Sequence, residues 1–275
     1  MTRPPARWSL LLAVLMVVLV SAGPANAQTR HPVVLLGTGG FTWSDLSAQR
    51  TPTLWGLLQR SAVSTVTVRS VDPNTCPIDA WLSLSAGERA AAPGPSGAVR
   101  RSPSTGCPPI PDPSGGMVPG WSQYAEAASR ANFGAHLGLL ADQLAAAGVD
   151  TVAAGPGAAV GAARSDGRVT AYVSVADLAN GTARPSSGVT LVDLGAVRDP
   201  DDVGTGEQAP GSVEEQLRGV DARLASLLPR LPGTRSSSWR ASPTPGQQRG
   251  CVRCWSAGRA SGRDCSIRPP RASPG

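Results

Sequence analysis

The chain has 275 residues with 32 Gly, 26 Pro and five Cys, and it has no Lys, so all 25 basic residues are Arg. Its formal charge of +6 is uneven: residues 235–275 hold eight Arg against one acid, Asp264, and the rest is close to neutral. A nucleic-acid function needs a basic face with aromatic platforms on a folded domain, so this distribution excludes it.

Arg3 and Arg7 open the chain, residues 8–20 are almost wholly apolar, and Ala25-Asn26-Ala27 follows. This is the pattern of a cleavable secretory signal peptide over residues 1–27, with the cut before Gln28. The apolar run is short for a bilayer span, and the alternative is an uncleaved anchor helix. Either way the remainder is expected outside the cytoplasm. No other stretch is apolar enough to span a membrane. What remains suits one large α/β domain or two small ones.

Residues 33–36 read as a buried strand ending in Gly37-Thr38-Gly39-Gly40. Residues 51–60 predict a helix, with Pro52 in its first turn and Leu54, Leu57 and Leu58 on one face. Residues 63–68 alternate as a half-buried strand would. Residues 79–86 predict a helix stopped by Gly87. Residues 91–120 form a Pro/Gly/Ser-rich loop, long enough to be either functional or mobile. Helices are expected at 121–131 and 137–147, and strands at 149–154, 169–173 and 189–194. Residues 213–228 carry an amphipathic stripe of Val213, Leu217, Val220, Leu224, Leu227 and Leu228. The alternation predicts an α/β fold with a mostly parallel sheet flanked by helices on both faces.

After Thr234 the apolar periodicity stops. Residues 235–275 read as a basic disordered tail or, preferably, as a frameshifted segment. Shifted by one base, Ser236 to Trp239 become hydrophobic codons. The segment can then read A-F-V-L-V-A-G-I-A-D-S-G, a buried strand entering an Asp-containing turn. On that reading the chain is truncated, exposes sheet edges and folds poorly.

Cysteines of an exported protein are expected to pair. Cys76 and Cys107 bracket the long loop, and a bridge between them would contribute roughly 3 kcal/mol. Cys251-x-x-Cys254 with Cys265 lacks a nearby fourth ligand, which weighs against zinc. Gly155-Pro156-Gly157-Ala158-Ala159-Val160-Gly161 sits where a dinucleotide loop would. Its spacing is one residue too long and Pro156 removes an amide donor, so a tight strand–helix turn is the better reading.

Four segments belong together: V-V-L-L-G-T-G-G-F-T-W-S-D-L from Val33, T-P-T-L-W-G-L-L from Thr51, D-P-N-T-C-P from Asp72, and W-L-S-L-S-A-G from Trp81. This series resembles the N-terminal third of the alkaline phosphatase superfamily, especially its phosphodiesterase and nucleotide pyrophosphatase branch. The resemblance covers roughly residues 32–234, in motifs over the first 60 residues and as architecture beyond, and implies an alkaline-phosphatase-like domain over residues 28–234, here incomplete. It places Thr75 at the nucleophile, at a helix start where amides and the helix dipole hold a phosphate. It also implies a two-metal site of zinc or manganese. The departures are specific. The family's first metal-binding Asp falls at Gly39, and the only two His are His31, ahead of the first strand, and His136, in a Gly-flanked turn. Asp193 is the one acid to offer as a residual ligand, with a helix-capping or turn role the better account. Thr75 also has a structural reading, as a helix cap beside a bonded Cys76.

The resulting expectation is a cell-envelope protein with a degenerate domain in a non-catalytic binding or scaffold role. Its partner would be another envelope component or a small phosphorylated ligand, and longer relatives of this kind can be membrane-anchored. The alternative is a metal-dependent phosphodiester or sulfate ester hydrolase using Thr75.

Overall fold

The computed structural model describes residues 31–64, 70–72, 75–94, 97–98, 106–198 and 211–232, and the backbone of 253–257. The signal-peptide and reading-frame expectations, the side chains of the Cys251/Cys254/Cys265 cluster and most of the strand expected at 63–68 lie outside what the structure describes. Among the described residues no helix is long and apolar enough to cross a membrane.

From Pro32 onward the described residues form a parallel sheet with seven α-helices around it. The strands are β1 (Val33–Gly39), β2 (Thr151–Ala154), β3 (Tyr172–Val173), β4 (Val189–Ala196) and β5 (Arg253–Ala257). Their order is β3-β2-β4-β1-β5 and every pairing is parallel. The helices are α1 (Pro52–Leu58), α2 (Pro77–Ala86), α3 (Trp121–Arg130), α4 (Leu139–Ala146), α5 (Pro156–Ala162), α6 (Val175–Asn180) and α7 (Val213–Leu227).

The period of two along the strands sorts their side chains between two cores. Leu35, Ala153, Val189 and Leu191 face one core, with α2, α3 and α5; Val34, Leu36, Val192 and Leu194 face the other, with α1, α6 and α7. The first core is built largely of Ala around Trp81 and Trp121, the second largely of Leu and Val.

Two expected elements differ and one element is new. The strand expected over 169–173 shortens to its last two residues, because the Val169 N–H donates to Gly116 O at 2.9 Å and Val169 bridges Ala163. That pairing, with Val118 N–H to Gly167 O at 3.0 Å, ties down the end of the long Pro/Gly-rich loop. The helix expected from 137 starts at Leu139, after Gly138 at φ 91°. α6 was not expected. Ser174 caps it by accepting the Asp177 N–H at 2.9 Å, and Gly181 ends it in the left-handed region.

α1 begins with Pro52 and its first turn is capped from far along the chain. Asp221, buried on α7, accepts the Leu54 N–H at 2.8 Å and the Thr53 N–H at 3.2 Å, across 167 and 168 residues. Two orphan donors of a helix start are thereby satisfied by one carboxylate.

Candidate functional site

In an open parallel sheet, ligands bind beyond the carboxyl ends of the strands, where the connections reverse direction. Here that place lies between β1 and β4. β2 and β3 lie to one side of this pair, and β5 lies to the other.

β1 ends in glycine for a packing reason. Its register against β4 shifts between Gly37 and Gly39, and Gly40 turns away at φ 84°. A Cβ on Gly40 would stand 1.6 Å from Val197 O, and Val197 N–H donates to Gly39 O at 2.8 Å. The two strand ends are thus in backbone contact, and position 39 carries no carboxylate.

Beneath this end lies the Trp81 indole, 5% exposed. Three glycines from two elements make room for it. A Cβ on Gly37 would be 2.4 Å from its ring, on Gly157 2.1 Å from Nε1, and on Gly161 2.8 Å from Cε3. Gly157 and Gly161 are the two later glycines of the turn that resembled a dinucleotide loop. Their absent side chains accommodate an aromatic ring of the protein itself.

The first turn of α5 is also occupied. Asp193, near the end of β4, accepts the Gly157 N–H with Oδ2 at 2.8 Å and the Gly195 N–H with Oδ1 at 2.8 Å. Pro156 has no N–H to offer. Burial pushes the Asp193 carboxyl up, against the lowering effect of those amides and of the Arg223 guanidinium. Arg223 in turn donates from Nε to Leu194 O at 2.8 Å. An internal carboxylate therefore holds the place at a helix start where a ligand's phosphate would sit. Close by, Tyr172 donates to Asp112 at 2.6 Å, and burial is the main cause of its raised phenol pKa.

Thr75 lies half-buried, one residue ahead of the N-cap of α2. The cap is Cys76, so Thr75 does not fill the capping role its position suggests. Cys76 accepts the first helical bond at its carbonyl from Asp79 N–H at 3.0 Å, and donates its own N–H to Asp79 Oδ2 at 2.9 Å. Asp79, 1% exposed, also takes the Ala92 N–H at 2.9 Å. Its carboxylate occupies the first turn of the helix, where a phosphoryl group bound beside Thr75 would meet like charge. Cys76 and Cys107 form a disulfide with a Cα–Cα distance of 5.3 Å, which fixes the start of α2 to the long loop.

His31 and His136 are both exposed. Among the described residues no group of three or more His, Cys, Asp or Glu side chains is placed to hold a metal ion.

A separate cavity of about 520 Å³ lies between the long loop and α3. Its walls include Ala92, Pro93 and Pro108, and α3 contributes Gln123, Tyr124 and Arg130. The sequence signals for it were weak: the loop's length left it either functional or mobile, and residues 121–131 read only as a helix. No family model matches the chain, and no curated protein matches it.

Proposed function

We propose that this is an exported cell-envelope protein whose α/β domain is a degenerate relative of the alkaline phosphatase superfamily and acts by binding rather than by catalysis. The observation that carries the reading is the engagement of Asp193. It is the only acid within the described strands, and both its oxygens are spent on backbone amides at 2.8 Å. Metal-assisted ester hydrolysis needs cations that lower the nucleophile's pKa and stabilise the leaving oxygen. Gly39 supplies no ligand and Asp79 is committed to α2 and to Ala92. The Cys76–Cys107 disulfide is in keeping with an oxidising compartment.

The competing reading is a phosphodiester or sulfate ester hydrolase using Thr75 with zinc or manganese. What favours it is the half-buried hydroxyl one residue ahead of the N-cap of a ten-residue helix. The two are separated by assaying the purified chain on bis-p-nitrophenyl phosphate and p-nitrophenyl sulfate, with zinc or manganese, beside Thr75→Ala. The binding reading expects no metal-dependent turnover above the blank in either protein. Turnover that Thr75→Ala abolishes would establish the hydrolase.

A further inference from the structure

The topology reserves a place for the strand that follows α7. β2 reaches β3 through α5, on the Trp81 face, and moves away from β1. β3 reaches β4 through α6, on the opposite face, and moves toward β1. The two crossovers therefore share one hand, as parallel connections do. α7 lies on the same face as α6, so the next parallel strand belongs further in that direction, beyond β1. β5 stands there, with Leu35 to Gly39 in register with Arg253 to Ala257.

The sequence and spacing of β5 fit that place poorly. Strands of a parallel sheet covered on both faces are near-continuous apolar runs. β1 and most of β4 are such runs, whereas β5 reads Arg-Cys-Trp-Ser-Ala. A helix-to-strand connection usually takes ~2–6 residues, whereas residues 232–252 separate buried Leu231 from β5. A better strand lies just after Leu231 in the neighbouring reading frame. With each codon starting one base early and Ser as TCN, Ser236, Ser237, Ser238 and Trp239 become NTC, NTC, NTC and NTG. Codons centred on T encode only Phe, Leu, Ile, Met and Val, so all of these are apolar whatever the wobble base. With Arg240 as CGN the next codon is GCG, which is Ala. Residues 232–235 are then the whole connection.

The cysteines point the same way. Cys76 and Cys107 are bonded, which leaves Cys251, Cys254 and Cys265, an odd number, in a chain read as exported. In the shifted frame each Cys codon gives its TG to an NTG codon, so all three become apolar residues. We infer that the strand belonging beside β1 is encoded over codons 236–240 in the neighbouring frame, and that one base has been lost between α7 and that strand. The inference concerns the sheet and is independent of whether Thr75 turns over an ester.

The test is a genomic read across codons 228–246, together with mass spectrometry of tryptic peptides from the endogenous exported protein. One base more is expected between codons 231 and 236, and a peptide that opens Leu231-Pro232-Gly233 and runs directly into apolar residues. With that base placed in an expression gene for the full chain, the β1 amides that point away from β4 are expected to exchange at least about tenfold more slowly than in the present chain. The inference is overturned by a genomic read that keeps the present frame, or by recovery of the peptide Ala241–Arg249 from the exported fraction. Equal exchange of those β1 amides in the two chains overturns it as well.

Discussion

Trp81 on one face of the sheet and Leu224 on the other are both buried, yet their surroundings are built by opposite means. Around Trp81 the neighbours are trimmed: Gly37, Gly157 and Gly161 lack side chains where the ring needs space. Around Leu224 the neighbours are branched, with Leu36, Leu178, Val192, Leu194, Leu217 and Val220 filling the interior. The first face is a single large ring seated among small residues and can tolerate no added atoms. The second is many similar side chains and can redistribute a change among them.

The largest effect should come from deleting the ring. Trp81→Ala is expected to cost about 3–5 kcal/mol, and Leu224→Ala toward the lower part of about 2–5 kcal/mol, both read as urea midpoints. Equal costs would mean that the Trp81 side collapses as readily as the aliphatic one.

A sharper comparison uses one substitution at two helical glycines. Gly161→Ala places a methyl 2.8 Å from Trp81 Cε3 and is expected to destabilise by about 1–3 kcal/mol. Gly219→Ala, on α7, meets nothing nearer than Arg223 at 3.7 Å and is expected to stabilise by about 0.5–1 kcal/mol. Opposite signs in thermal melts would establish the contrast. A stabilising Gly161→Ala would refute the account of the Trp81 enclosure.

The smallest effect concerns the strand end where the two faces meet. Asp193 reaches α5 on one side and senses Arg223 of α7 on the other. Its folded pKa is raised, chiefly by burial, so the folded state holds its proton more tightly than the unfolded chain does. Its contribution is therefore present below the unfolded value near 4 and is lost as pH rises through the folded value. Asp142 works the other way. Hydrogen bonds from Ser165 and Arg164 hold its carboxyl low, so its contribution is present above the unfolded value and fades as pH falls. Stability measured against pH for Asp193→Asn should lack the first component and keep the second. A difference curve flat from pH 4 upward would show that the shift at Asp193 has no thermodynamic weight.

Much of the architecture could be read from residue periodicity. β1, β4 and α7 carry it strongly, and the helix and strand alternation implied a parallel sheet. α6 was missed because six residues are too few to display a stripe, although Ser174 and Asp177 already had cap spacing. The start of α4 moved because Gly138 packs against Ser165, a contact between residues distant in the chain. The strand ends were legible only in outline. Asp193 could be picked out as an acid closing a strand, but its two amide partners depend on where α5 lands. The glycines of residues 155–161 read as a tight strand–helix turn, which they form, but nothing local announces that a tryptophan from residue 81 will occupy the space beside them. The cavity on α3 was hidden for the same reason, since its walls come from three separated segments.

Asp221 secures α1 from 167 residues beyond Leu54, near the end of the described domain, and β1 must wait for β4, more than 150 residues on. Contacts of such high order are slow to close, so the first strand and helix reach their native partners only when β4 and α7 are in place.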